Sequence, residues 1–480
     1  MYLQLMNGAY EARSVIAGAQ RCVNLFPEIN QRATILSPYM PQQTAPTLMT
    51  HYPTPGLTLL ATAAEGPVRG LFRSNNGVLY MVAGTTLYSV SNTWVLTPLG
   101  TIPFATTPVS MTDNGQTMVL VDGSSSGWTY SNAGFAPITD SSFYGSRRVD
   151  YMDTFLLFAR PNSQTWYCSL SNETSFDPLY LANKTGYADN LQTIIVCARQ
   201  VWLLGEVTTE VWYDAGTPDF PFAAVPGGFV PHGCIAPYSA ATQDINVFWL
   251  SHDLQGRAIV LQGQGYSAMR ISTHAIENEI SGYSTIADAI GFCYQQEGHV
   301  FYVLQFPSAD KTWVYDLSTR LWHERMWLDG NGVEHRWRPN CAAYCYETNV
   351  VGDWQTGALY SLDMNNYTDN GQPIRRIRSF PHLVDGLKRI VYNRFVADME
   401  TGTYPSATVS PTVSLRWSDT RGATWKQPIT RSLGQEGQPQ KVVQFRRLGM
   451  ARDRVFELSW SAATATALNG AAIDLTEAQT

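Results

Sequence analysis

Seven stretches of the 480-residue chain repeat one grammar: an apolar run, a turn, then a second run carrying an aromatic residue. They are "LYMVAGTTLYSV" from Leu79, "TMVLVDGSSSGWTYS" from Thr117, "FLLFARPNSQTWYCS" from Phe155 and "VWLLGEVTTEVWYDAG" from Val201. "VFWLSHDLQGRAIVLQG" from Val247, "VFYVLQFPSADKTWVYDLS" from Val300 and "VVGDWQTGALYSLD" from Val350 complete the set. A lone hairpin cannot bury its apolar face, and an open sheet leaves unpaired edges. Packing several small sheets around an axis removes both problems, and the spacing of 38 to 53 residues fits a four-stranded propeller blade. The chain is therefore expected to be all-β, with a β-propeller of six or seven blades. Composition agrees. Charged residues make up 15% against roughly 25% in average domains, and Gly 37, Pro 26 and Tyr 25 favour turns and strands.

Three regions are expected. Residues 1–55 form an extended N-terminal arm whose "SPYMPQQTAPTLMTHYPTPG" is rich in Pro and Thr and is free to add a strand to a neighbouring sheet. Residues 56–376 hold the propeller. Residues 377–480 form a smaller C-terminal β module, because "TVSLRWSDTRGATW", "KVVQFRRLGM" and "RVFELSWSA" alternate between turn residues as sandwich strands do. There Val413, Leu415 and Trp417 should point inward and Arg416 outward. One excursion from the β pattern, Ser272 to Phe292, spaces Ile276, Ile280, Ile286 and Ile290 for one or two short helices, with Ser284 as a cap.

Charge is divided unevenly. Residues 1–374 hold 17 Lys/Arg against 30 Asp/Glu, a net −13, whereas residues 375–480 hold 15 against 9, a net +6. Either two modules face different surroundings or two surfaces are differently solvated. The run "IRRIRSFPHLVDGLKRIVYNRF" supplies Arg375, Arg376, Arg378, Lys388, Arg389 and Arg394 as a candidate basic interface for phosphates or an acidic protein surface. Strand alternation would place only some of them on one face. The acidic remainder would repel DNA, which in a conduit prevents retardation at the wall.

Motifs with catalytic meaning are near misses. "HERMW" at His323 has Trp327 where a zinc hydrolase needs its second histidine. "TWVYDLSTRLW" from Thr312 is similar to a kelch-type turn, an inner-strand hairpin in which Asp316 and Ser318 bond local amides. "SDTRGATW", Ser418 to Trp425, resembles the Asp-box, with Thr420 at the aspartate position and Asp419 displaced by one; that box is a structural turn. Seven scattered cysteines give no disulfide framework, and "CAAYC" at Cys341 and Cys345 lacks a second ligand pair for zinc. No catalytic, cofactor-binding or metal-binding residues are expected, and the chain is read as not an enzyme. Apolar runs such as "TIIVCA" are far shorter than a bilayer span, and "MYLQLMNGAYEARS" is unlike an export signal, so no membrane insertion and synthesis in a reducing cytoplasm are expected.

Several segments resemble one family. "RCVNLFPE" at Arg21–Glu28, "YPTPGL" at Tyr52–Leu57, "VRGLFRSNNGVLYMVAGTTLYSV" at Val68–Val90, "VWLLGEVTTEVWYDAG" at Val201–Gly216, "GYSAMRISTHAIENEI" at Gly265–Ile280 and "LNGAAIDL" at Leu468–Leu475 are similar to the packaged-DNA stabilisation proteins of short-tailed phages. The resemblance spans nearly the whole chain. It implies a structural virion protein made in the host cytoplasm, a homo-hexameric tail hub that plugs or extends the portal-connector channel. Its implied partners are the portal-side connector, the tail needle, tailspikes or fibres, and double-stranded DNA passing through without sequence-specific binding. The family supplies no catalytic residues to carry over. The alternatives are a carbohydrate-binding or sialidase-like propeller and a scaffold for a cellular partner.

Overall fold

Each of the seven recurring segments supplies the two middle strands of its own antiparallel blade. In blade one, Leu79–Ala83 and Thr86–Val90 lie between Val68–Arg73 and Leu96–Thr101. Leu79–Ala83 is buried at every position, because neighbouring blades cover both faces. The computed structural model describes residues 2–5, 20–30, 48–386, 388–404 and 410–478. Blades two to six follow as the four-stranded sets within 110–137, 149–183, 191–230, 241–270 and 290–324. Blade seven takes three strands from Pro339–Cys345, Thr348–Asp353 and Ala358–Asp363, and its fourth from Gly56–Thr62 near the other end of the chain. Leu362 pairs with Leu57 and Ala358 with Thr62, so the ring closes by hydrogen bonding and the blade gains its outer strand. The closure is tight: a Cβ on Gly357 would lie 2.3 Å from the Glu65 carbonyl oxygen.

Aromatic residues fill the wedges between blades. Trp166 meets Trp212 edge-on at 5.4 Å between blades three and four, and Phe248 stacks on Tyr302 at 5.0 Å between blades five and six. The stretch expected to be an inner hairpin occupies the outer half of blade six, as Lys311–Asp316 and Leu321–Glu324. Its turn chemistry is partly as expected. Asp316 accepts the Ser318 amide at 2.9 Å and the Thr319 hydroxyl at 2.8 Å, but Ser318 donates to the Gly298 carbonyl. The helical excursion is a single helix, His274–Ser281, capped by Thr273 accepting from the Ile276 amide. Ser284 caps nothing, since Ile276 and Ile280 are buried while Ile286 is only half-buried and the chain turns at Gly282.

The C-terminal module is a sandwich of two sheets. One contains Leu25–Asn30, Leu48–Pro53, Leu468–Glu477, Ile390–Met399 and Val443–Arg446, with Tyr2–Gln4 added to Leu468–Glu477. The other contains Arg376–Ser379, Asp453–Trp460, Thr412–Ser418 and Ile429–Ser432. Phe395, Phe445, Phe456 and Leu458 fill the space between them. Val413 and Leu415 point inward, Trp417 packs partly against the same core, and Arg416 reaches out to Glu457. The described part of the N-terminal arm is thus built into the sandwich. Its segment 37–47 lies outside the described residues.

Propeller and sandwich share one sheet. The two-residue strand Cys22–Val23 runs parallel to Leu321–Glu324 of blade six and antiparallel to Arg376–Ser379 of the sandwich. The result is a continuous ten-stranded sheet. Asn24 locks the splice. It adopts φ 53°, a conformation that asparagine tolerates better than most residues. Its Nδ2 donates to the carbonyls of Met326 at 3.0 Å and Arg375 at 2.8 Å, and its Oδ1 accepts the Met326 amide at 3.1 Å. Its own amide bonds Glu324, and its carbonyl accepts from Thr54 on the returning arm. Asn24→Ala leaves these buried backbone groups unpaired and should cost about 2–4 kcal/mol, read as a lower urea midpoint. A midpoint equal to wild type would show that the side chain does not hold the splice.

Candidate functional site

The basic run does not form one surface. On the strand Arg376–Ser379, Arg376 and Arg378 share a face by alternation, and both are buried at the junction. Arg376 donates to the carbonyls of Ala462 at 2.9 Å and Tyr367 at 3.4 Å. Arg378 donates to the carbonyls of Gln20 at 3.0 Å and Ser379 at 2.8 Å. Carbonyl oxygens here replace the water a guanidinium would hold outside. Burial lowers Arg376 to about 10, with Asp369 opposing, and lowers Arg378 as well. Arg375 is half-buried and pairs with Glu334 at 3.6 Å. Lys388 and Arg389 are exposed on a separate turn, where Lys388 lies 3.7 Å from Glu477. Arg394 is half-buried on Ile390–Met399. The expected contact face is therefore divided: Arg376 and Arg378 belong to the interior, Arg375 and Arg394 are half-buried, and Lys388 and Arg389 are exposed.

Around the splice lies a set of buried ionisable groups that the sequence reading missed. Burial pushes the Glu324 carboxyl up, but Arg21 and Lys311 outweigh it and leave it below its ordinary value. Arg21 reaches Glu324 at 3.1 Å and Glu334 at 3.2 Å, and Lys311 reaches Glu324 at 2.9 Å. Next to them Arg325 is fully buried and stacks over Trp337 at 4.6 Å and Phe301 at 5.2 Å. Its Nε donates to His323 Nε2 at 3.3 Å. His323 and His51 are both buried and both held well below 6.5, chiefly by burial and then by the arginines beside them. "HER" is thus a packing element whose histidine is kept neutral.

A second constellation surrounds the propeller axis. The first strands of blades one, two, six and seven, with the segments leading into blades three and five, line a cavity of about 220 Å³. Arg69, Arg147, Arg148, Tyr238 and Asn340 line it. Arg69 is fully buried, faces Asp122 at 3.6 Å and donates to the Thr107 carbonyl at 2.9 Å. Arg147 donates to Gln192 Oε1 at 3.0 Å and Arg148 to the Ala240 carbonyl at 2.8 Å. The "SRRVD" segment precedes its strand, so neither alternation nor spacing announced where these two arginines point. The Asp-box-like turn lies far away in the sandwich, where Ser418 accepts the Gly422 amide at 2.9 Å and Thr420 accepts the Thr424 amide at 2.8 Å. Thr420 thereby fills the aspartate's structural role, while Asp419 accepts from Arg454 at 2.6 Å. Among the described residues no group of His, Cys, Asp and Glu is arranged to hold a metal, and no helix is long and apolar enough to cross a membrane.

The two neutral histidines give the junction a pH signature. Their folded values lie below 6.5, so as pH drops through 6.5 the unfolded chain takes protons that the folded chain refuses, and stability falls toward acid. His299 works in the opposite sense, since Asp316 raises it and its contribution is present below 6.5 and lost as pH climbs through the raised value. His51→Leu should flatten the loss of urea stability between about pH 6.5 and 5. An unchanged slope would mean that His51 takes up its proton in the folded chain.

The family model described as bacteriophage P22 Gp10, β-propeller, matches residues 1–367, and that described as bacteriophage P22 Gp10, β-sandwich, matches residues 375–476. No curated protein sequence matches. Among solved structures, BamB from Moraxella catarrhalis is similar at 8% identity and TM-score 0.40, over 70% of this chain and 98% of that one. A chain of the mitotic checkpoint complex is similar at 11% identity and TM-score 0.42, over 69% and 99%. The N-terminal domain of Nup159 is similar at 8% identity and TM-score 0.37, over 65% and 95%. With both of its modules matched, the chain belongs to the bacteriophage P22 Gp10 family, the packaged-DNA stabilisation proteins, and is a phage structural protein.

Proposed function

We propose that the chain is the tail hub of a short-tailed phage: a hexameric virion ring, made in the host cytoplasm, that closes or extends the portal-connector channel. It retains packaged DNA and offers docking surfaces to the tail needle and to tailspikes or fibres. The observation that carries this reading is the shared sheet through Cys22–Val23 in a chain of this family. An adaptor must hold its contact surfaces at a fixed angle, and sheet hydrogen bonds across two modules resist bending far better than a linker does. The uneven charge supports it too, with −13 on residues 1–374 and +6 on residues 375–480. DNA would pass through the opening between copies. A propeller axis that leaves about 220 Å³ among arginines is far too small for a duplex whose major groove alone is about 12 Å wide.

In this reading Lys388 and Arg389 contact an acidic neighbour in the particle. Changing both to Glu should reduce the yield of DNA-filled particles by about tenfold or more, while the purified chain keeps its stability within about 0.5 kcal/mol, as surface substitutions do. Particles counted by electron microscopy and nuclease-protected DNA give the measurement. Wild-type yield of filled particles would remove this surface from the assembly.

A further inference from the structure

We propose that the axial cavity of the propeller binds a small hydroxyl-bearing oxyanion, of the hydrogen-phosphate class, between Arg147, Arg148 and Asn340. The cavity holds more cation than it neutralises. Arg69 faces Asp122, but among the described residues neither Arg147 nor Arg148 forms an ion pair. Each spends one nitrogen on a neutral acceptor, Gln192 for Arg147 and the Ala240 carbonyl for Arg148. The remaining donors of two planar guanidinium groups suit a tetrahedral oxyanion. The Asp150 carboxylate acts on Arg148 electrostatically without an ion-pair contact, and it accepts the Val196 amide at 2.8 Å and the Tyr151 amide at 3.0 Å.

Asn340 adds a demand that a bare anion cannot meet. It is 6% exposed, and its Nδ2 donates to the Val68 carbonyl at 3.3 Å, which fixes the amide orientation. Its Oδ1 is buried at the cavity wall without a donor among the described residues. A buried carbonyl of this kind calls for an O–H or N–H. Hydrogen phosphate answers both requirements, giving oxygens to the arginines and its P–O–H to Asn340. At about 220 Å³ the space falls below the roughly 300 Å³ at which pockets for drug-sized ligands begin, which favours a small ion. Bound there, the ion would pin blades three and seven across the axis and stabilise the closed ring by mass action.

The probe is inorganic phosphate, titrated calorimetrically into the full chain at constant ionic strength, with sulfate as the oxyanion that carries no proton at neutral pH. The expected result is one phosphate per chain, bound at least tenfold more tightly than sulfate. Arg147→Gln should weaken both ions roughly tenfold. Asn340→Leu should bring phosphate down to the sulfate level and leave sulfate unchanged, a change of selectivity that mere loosening of the fold does not produce. Lys441→Gln, exposed on the sandwich, should change neither. Absence of phosphate binding, equal binding of the two ions to the wild type, or unaltered affinity in Arg147→Gln would overturn the proposal.

Discussion

Two residues of β-strand hold the molecule's two modules to one another. Cys22–Val23 is bonded to blade six on one side and to the sandwich on the other, and it arrives from the N-terminal arm rather than from either module. A propeller with an outer edge strand and a sandwich with an exposed sheet edge would each present unpaired backbone groups. The arm satisfies both edges at once, and the edge problem of two β domains becomes a rigid joint. The chain then returns through Leu48–Pro53 in the sandwich and directly into Gly56–Thr62, the strand that closes blade seven. The same short N-terminal region therefore seals the ring and fastens the sandwich.

The joint explains where the unusual charges went. Arg325, Arg376 and Arg378 are interior groups: Arg376 and Arg378 donate to backbone carbonyls, Arg325 lies against aromatic faces, and the buried Asp369 carboxylate acts on Arg376 and Arg325. Burying a guanidinium is costly unless its donors are satisfied. The carbonyls of Tyr367, Ala462, Gln20 and Ser379 do that for Arg376 and Arg378, while Arg325 relies on the faces of Trp337 and Phe301. Burial first, and the cations beside them second, keep His51 and His323 neutral. A basic run in the sequence is thus partly a core feature, with Lys388 and Arg389 exposed beyond it.

Blade repeats were legible because each hairpin must bury its own apolar run, and that demand is written locally, as in "LYMVAGTTLYSV". The sandwich strands were legible for the same reason: Val413 and Leu415 alternate inward with Arg416 facing out. What could not be read was non-local. Nothing in "RCVNLFPE" shows that Asn24 bonds Met326 and Arg375, more than 300 positions away. The fate of Arg376 and Arg378 depended on what covers their strand, which alternation alone does not specify. The helix was found but its cap misplaced, because Thr273 and Ser284 offer similar local chemistry and only the burial of Ile276 and Ile280 chooses between them. The axial arginines escaped notice because their segment converges with distant strands only once the ring is closed.

If the two modules act as one body through Cys22–Val23, the amides of residues 22–24 and 376–379 must be as hard to open as the modules themselves. Native-state hydrogen exchange measures this directly. These amides should exchange only through global unfolding, with protection equal to that of Val314 in blade six and Phe395 in the sandwich core. Exchange orders of magnitude faster at the splice than at Val314 and Phe395 would mean that propeller and sandwich open independently, and would contradict the account.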